Sequence, residues 1–100
     1  MRVFISGKAT GTTDYRERFA AAEVYLKSLG LEVVNPIAET SDIPEDAEWI
    51  KFMRRTIKCL VTCDAIYMLP DWRRSRGAKV EKQLAEGLGM IVMYAPEDEE

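Results

Sequence analysis

The chain has 100 residues and not one histidine. That removes the usual general base of neutral pH, any Ser-His or Cys-His catalytic pair, and the commonest ligand for zinc and iron. Chemistry here must run on carboxylates, hydroxyls, lysine, arginine or backbone dipoles. Cysteine is scarce as well: only Cys59 and Cys63, four apart. Without companion ligands that spacing reads as two small buried thiols in a reducing compartment. No metal and no cofactor is expected. Long apolar runs are missing too. The longest, at 88–95, is far too short to cross a membrane, so no membrane partner is expected. Nor is there a basic surplus: 14 Lys and Arg stand against 17 Asp and Glu, for a net charge of −3. That argues against a general nucleic-acid binder, which would carry a basic face. The apolar stretch Val3-Phe4-Ile5 begins almost at once, leaving no room for a secretory leader, and the expected location is cytoplasmic.

What is present has a regular order. Val3–Ile5, bounded by Ser6-Gly7, is a short apolar run that suits a buried strand. Tyr15, Phe19, Ala22, Leu26 and Leu29 then recur at helical spacing, with Thr13 as N-cap and Gly30 as stop. Residues 31–34 read as a second strand, ended by Asn35-Pro36. Residues 37–45 form a polar connection, at whose end Asp42-Ile43-Pro44-Glu45 resembles a capping box with proline at the first helical position. The helix it would open carries Ile50, Met53, Ile57 and Leu60 on one side. A third strand over 64–69, a third helix from Gly77 to Leu88 and a fourth strand over 90–94 complete the series. The order β-α-β-α-β-α-β predicts an α/β domain. It is a small, doubly wound, flavodoxin-like or Rossmann-like fold with four parallel strands in the order 2-1-3-4 and helices on both faces. One domain is expected over 1–95, followed by an acidic tail at 96–100.

In such a sheet ligands bind beyond the carboxyl ends of the strands, where strand order reverses. That selects the loops leaving strands one and three. The first holds Ser6, Gly7, Lys8 and Gly11; its spacing fits neither a Walker A loop nor a dinucleotide fingerprint. The second holds Asp71, Arg73, Ser75, Arg76 and Gly77, and leads into a helix whose N-terminus favours an anion. The reading is a phosphate held by Ser75, backbone N–H groups and one or both arginines, against the plainer option of a solvated basic loop. Glu81 shares a helical face with Ala78, Ala85 and Leu88. It therefore points toward the crevice, where desolvation would raise its pKa; the other option is an exposed glutamate on a charged helix. Asp64, at the start of strand three, lies at the far end of the sheet on this pattern. Asp71 is the better-placed partner for Glu81.

Phe4-Ile5-Ser6-Gly7 with Thr10-Gly11, Cys63-Asp64-Ala65-Ile66-Tyr67, and Ser75-Arg76-Gly77-Ala78-Lys79-Val80-Glu81 together resemble the nucleoside 2-deoxyribosyltransferase superfamily. That group includes the 2′-deoxynucleoside 5′-monophosphate N-glycosidases, and the nearest likeness is to its small bacterial and phage branch. The resemblance implies that Glu81 is the nucleophile at C1′ of a deoxyribose. It further implies that Ser75 binds a 5′-phosphate, that Asp64 acts near sugar and base, and that the protein is a homodimer or larger homo-oligomer. The family usually has tyrosine at Phe4 and often aspartate at Thr56, so this chain departs at both.

Three functions follow. One is cleavage or transfer at the N-glycosidic bond of a deoxynucleoside or its 5′-monophosphate. The chemistry suits a chain without histidine, because a carboxylate both stabilises oxocarbenium character at C1′ and traps the sugar. The second is a nucleotide- or nucleotide-sugar-binding module without turnover. The third is a protein-interaction domain using the basic loop and Trp72, with exposed Trp49 and Trp72 suited to a subunit contact.

Overall fold

The computed structural model describes residues 1–9 and 13–96. Thr10, Gly11 and Thr12 of the first loop, and the acidic residues 97–100, lie outside the described residues. Four strands, β1 (Arg2–Ser6), β2 (Glu32–Val34), β3 (Ala65–Met68) and β4 (Ile91–Tyr94), form one parallel sheet in the order β2-β1-β3-β4. β1 is central and buried on both faces from Val3 to Ser6, which is why its sequence is a continuous apolar run rather than an alternation. The expected architecture is the observed one.

Alternation along the strands sorts the core into two halves. Val3, Ile5, Ala65, Tyr67 and Leu69 face α1 (Tyr15–Ser28), packing on Phe19, Ala22 and Leu26. Phe4, Ile66 and Met68 face the other way, onto Leu60 of α3 (Trp49–Leu60) and Ala78 and Ala85 of α4 (Arg76–Gly87). Helix α1 stops as its sequence suggests: Gly30 takes φ +82°, and its N–H bonds the Lys27 carbonyl at 2.9 Å, the left-handed exit that a side chain would strain. Leu29 and Leu88, assigned to buried stripes by spacing, follow the last turns of their helices and are exposed.

The N-terminal signals of the helices moved. Thr13 does not cap α1; Asp14 holds that position and its carboxylate pairs with Arg18. A one-turn helix, α2 (Pro36–Glu39), occupies part of the expected polar connection, started by the Asn35 side chain accepting from the Ile37 N–H at 3.0 Å. No capping box forms at residues 42–45, and α3 begins at Trp49 instead. The Asp42 carboxylate is taken by Arg55, 2.8 Å away on α3, a pairing across thirteen residues that local pattern does not encode. Trp49 and Trp72 are half-buried rather than exposed. Arg76 stacks over Trp49, 3.9 Å from the ring centre, and Arg73 and Lys82 lie over Trp72.

Candidate active site

β1 and β3 are neighbours, while their following helices pack on opposite faces, so the reversal of strand order falls between their C-terminal ends. Ser6 is the last residue of β1 and lies on the same face as Phe4, beneath α4. Glu81, one turn into α4, shares the buried face of that helix with Ala78 and Ala85. The two meet: the Ser6 hydroxyl donates to Glu81 Oε1 at 2.6 Å, both residues being buried. Glu81 is 6% exposed, and among the described residues no cation pairs with it. Burial pushes its carboxyl up to about 7, against the opposing pull of the Ser6 and Thr56 hydroxyls. Thr56, on the buried face of α3, shares its one proton with the Met53 carbonyl at 3.2 Å. A buried, unpaired carboxyl costs stability, and pKa values displaced this far gather at functional sites.

The two glycines flanking this pair are there for packing. A Cβ on Gly7 would stand 2.8 Å from Leu69 Cβ, where the first loop crosses the end of β3. On Gly77 it would stand 3.0 Å from Met53 Sδ, so this glycine lets α4 close on α3 rather than only admitting a ligand. Ser75 is the N-cap of α4, its oxygen accepting from the Ala78 N–H at 3.1 Å. That bond uses a lone pair and leaves the hydroxyl proton for an acceptor outside the helix.

Asp71 does not meet Glu81. Its two oxygens are taken by the Lys8 N–H at 3.1 Å and by Arg18 Nη1 at 2.5 Å, and Arg18 also donates to the Lys8 carbonyl at 3.0 Å. The group is a clasp that ties the first loop, the loop leaving β3 and α1 together. Asp64 is not brought to the others within the chain. β3 runs parallel to β1, so the residue before it lies beside the start of β1, where it accepts from the Arg2 N–H at 2.8 Å. Gly11 is outside the described residues. Lys8 and Ser75 are half-buried, while Arg73 and Arg76 are exposed, Arg73 over Trp72 and Arg76 over Trp49. Arg18 and the Trp49–Arg76 stack were missed by sequence reasoning. Thr56 entered it only as a departure from a pattern.

Beside the loop leaving β3 a cavity of about 230 Å³ opens beyond the ends of β3 and β4, lined by Leu69, Pro70, Trp72, Arg73 and Tyr94 among others. Ser6, Met68 and Tyr94 pair in register on adjacent strands, so this hollow and the carboxylate lie along one edge of the sheet. Among the described residues no cluster of three or more Cys, Asp or Glu is arranged to hold a metal, and no helix is long and apolar enough to cross a membrane.

Compared with curated proteins, the chain finds no match. Its residues 1–94, nearly the whole length, match the family described as Domain of unknown function (DUF4406), and the chain belongs to that family.

Proposed function

We propose that this protein cleaves, or transfers at, the N-glycosidic bond of a deoxynucleoside or its 5′-monophosphate, with Glu81 as nucleophile. One observation carries the reading: a carboxyl buried with no cation partner among the described residues, at the switch point of the sheet, hydrogen-bonded at 2.6 Å to the last residue of β1. In its ionised form Glu81 attacks C1′. The base departs with the C1′–N electron pair and takes a proton from solvent, leaving a glycosyl ester on the glutamate. Water then releases the sugar and restores the carboxylate, or a second base accepts the sugar. The Ser75 hydroxyl, the N-terminus of α4, and Arg73, Arg76 and Lys8 at the rim supply the charge and donors a 5′-phosphate needs.

The test is release of free base from deoxynucleoside 5′-monophosphates, followed chromatographically. Wild type releases base and Glu81→Ala does not, while both melt cooperatively; release by the variant at the wild-type rate contradicts the proposal. Phe4, fully buried and without a hydroxyl, supports the second reading, a binding module without turnover. That reading predicts a raised Tm with nucleotide and no product over hours.

The proposal includes a homo-oligomer. On the α1 side the sheet is covered over β1 and β2, whereas Ile91 on β4 is 54% exposed and Met93, beside Tyr67, is half-buried. Sedimentation should show a dimer or larger species, reduced to monomer by Ile91→Glu; a wild-type monomer at all concentrations removes this part.

A further inference from the structure

Ser6 belongs to the central strand, not to a loop that follows a ligand. Its carbonyl accepts from the Leu69 N–H at 2.8 Å, fixing the backbone, and its side chain is 1% exposed beneath α4. Its only proton lies on Glu81 Oε1 at 2.6 Å, a length typical of a hydroxyl donating to an ionised carboxylate. We infer that Ser6 is a positioning residue: it pins Oε1 of Glu81 and leaves Oε2 as the oxygen that reaches the substrate. The role of Oε2 rests on the reading of Glu81 as nucleophile; the pinning does not. A proton committed to Glu81 is unavailable to a substrate, so Ser6 acts through the carboxylate and not as a ligand contact.

The surroundings make this separable from bulk packing. Burial is the largest influence on Glu81. The opposing ones are two hydroxyls, Ser6 from β1 and Thr56 from α3, and no charged side chain contributes. Loss of the Ser6 hydroxyl therefore moves the titration of Glu81 further upward, whereas loss of packing alone lowers stability equally at every pH.

The test is ¹³C NMR titration of the Glu81 carboxyl in the intact protein, with base release measured alongside. Wild type should titrate at about 7; Ser6→Ala should move the midpoint up by about one unit, and Ser6→Thr should restore it. At pH 7, kcat for base release should fall about tenfold in Ser6→Ala with KM little changed. Should Ser6→Ala not fold, Ser6→Cys keeps the volume, weakens the donor, and must show the same upward shift. An unmoved midpoint in the folded variant overturns the positioning role, whatever the activity. A moved midpoint in a protein that releases no base upholds the pinning and removes the glycosidase reading instead.

Discussion

Glu81 sets the behaviour of the molecule near neutral pH because no histidine competes with it. Its ordinary value is 4.5 and its folded value about 7. Below 4.5 it is protonated folded and unfolded alike, so its burial carries no charge penalty. As pH rises through about 7 the folded state must ionise a desolvated group, and that contribution to stability is lost, at about 3 kcal/mol. Glu81→Gln keeps the acceptor for Ser6 and removes the charge. The variant should therefore unfold at higher urea than wild type at pH 8, with the gap closing toward pH 5. A gap that is constant with pH would mean that Glu81 titrates normally. The inward direction of this side chain was legible, because Ala78 and Ala85 share its helical face and small residues mark close packing. Its partner was not, since Ser6 lies 75 residues away and nothing local pairs them.

The elements around the site are held by contacts that tolerate little change. The first loop crosses β3 so closely that Gly7→Ala would drive a Cβ into Leu69, a buried side chain met at its Cβ as well as at its Cδ1, both 2.8 Å away. The substitution should cost about 1–3 kcal/mol in urea unfolding at fixed pH; an unchanged midpoint would show that the loop can shift freely. Strand and helix order were legible from period alone, since continuous apolar runs alternated with stripes at helical spacing. α2 was not, being one turn long and below the reach of any periodicity. The start of α3 was misplaced because the signal at residues 42–45 is local, while the Asp42–Arg55 pair that redirects Asp42 is tertiary. The clasp of Asp71 with Arg18 is illegible for the same reason: the two lie 53 residues apart.

A small sheet with different helices on its two faces brings the ends of β1 and β3 together, and the carboxylate and the hydroxyl beside it meet there. Two distant segments, Ser6-Gly7-Lys8 and Asp71 to Glu81, come together only through strand order 2-1-3-4, which is why topology and not motif spacing pointed to the candidate site. Asp64 follows the same logic: the residue before a parallel strand lies at the opposite edge, where the strand pattern put it, and only the resemblance implied a role for it near the sugar. On the proposed function, the Glu81 carboxylate bonds to C1′ of a deoxyribose. The decisive experiment is acid quenching of the protein during turnover of a deoxynucleoside 5′-monophosphate, then mass spectrometry of its peptides. A sugar-phosphate adduct on the peptide containing Glu81, absent from Glu81→Gln, is the predicted result. Base release that continues undiminished in Glu81→Gln, with no adduct in either protein, would contradict it.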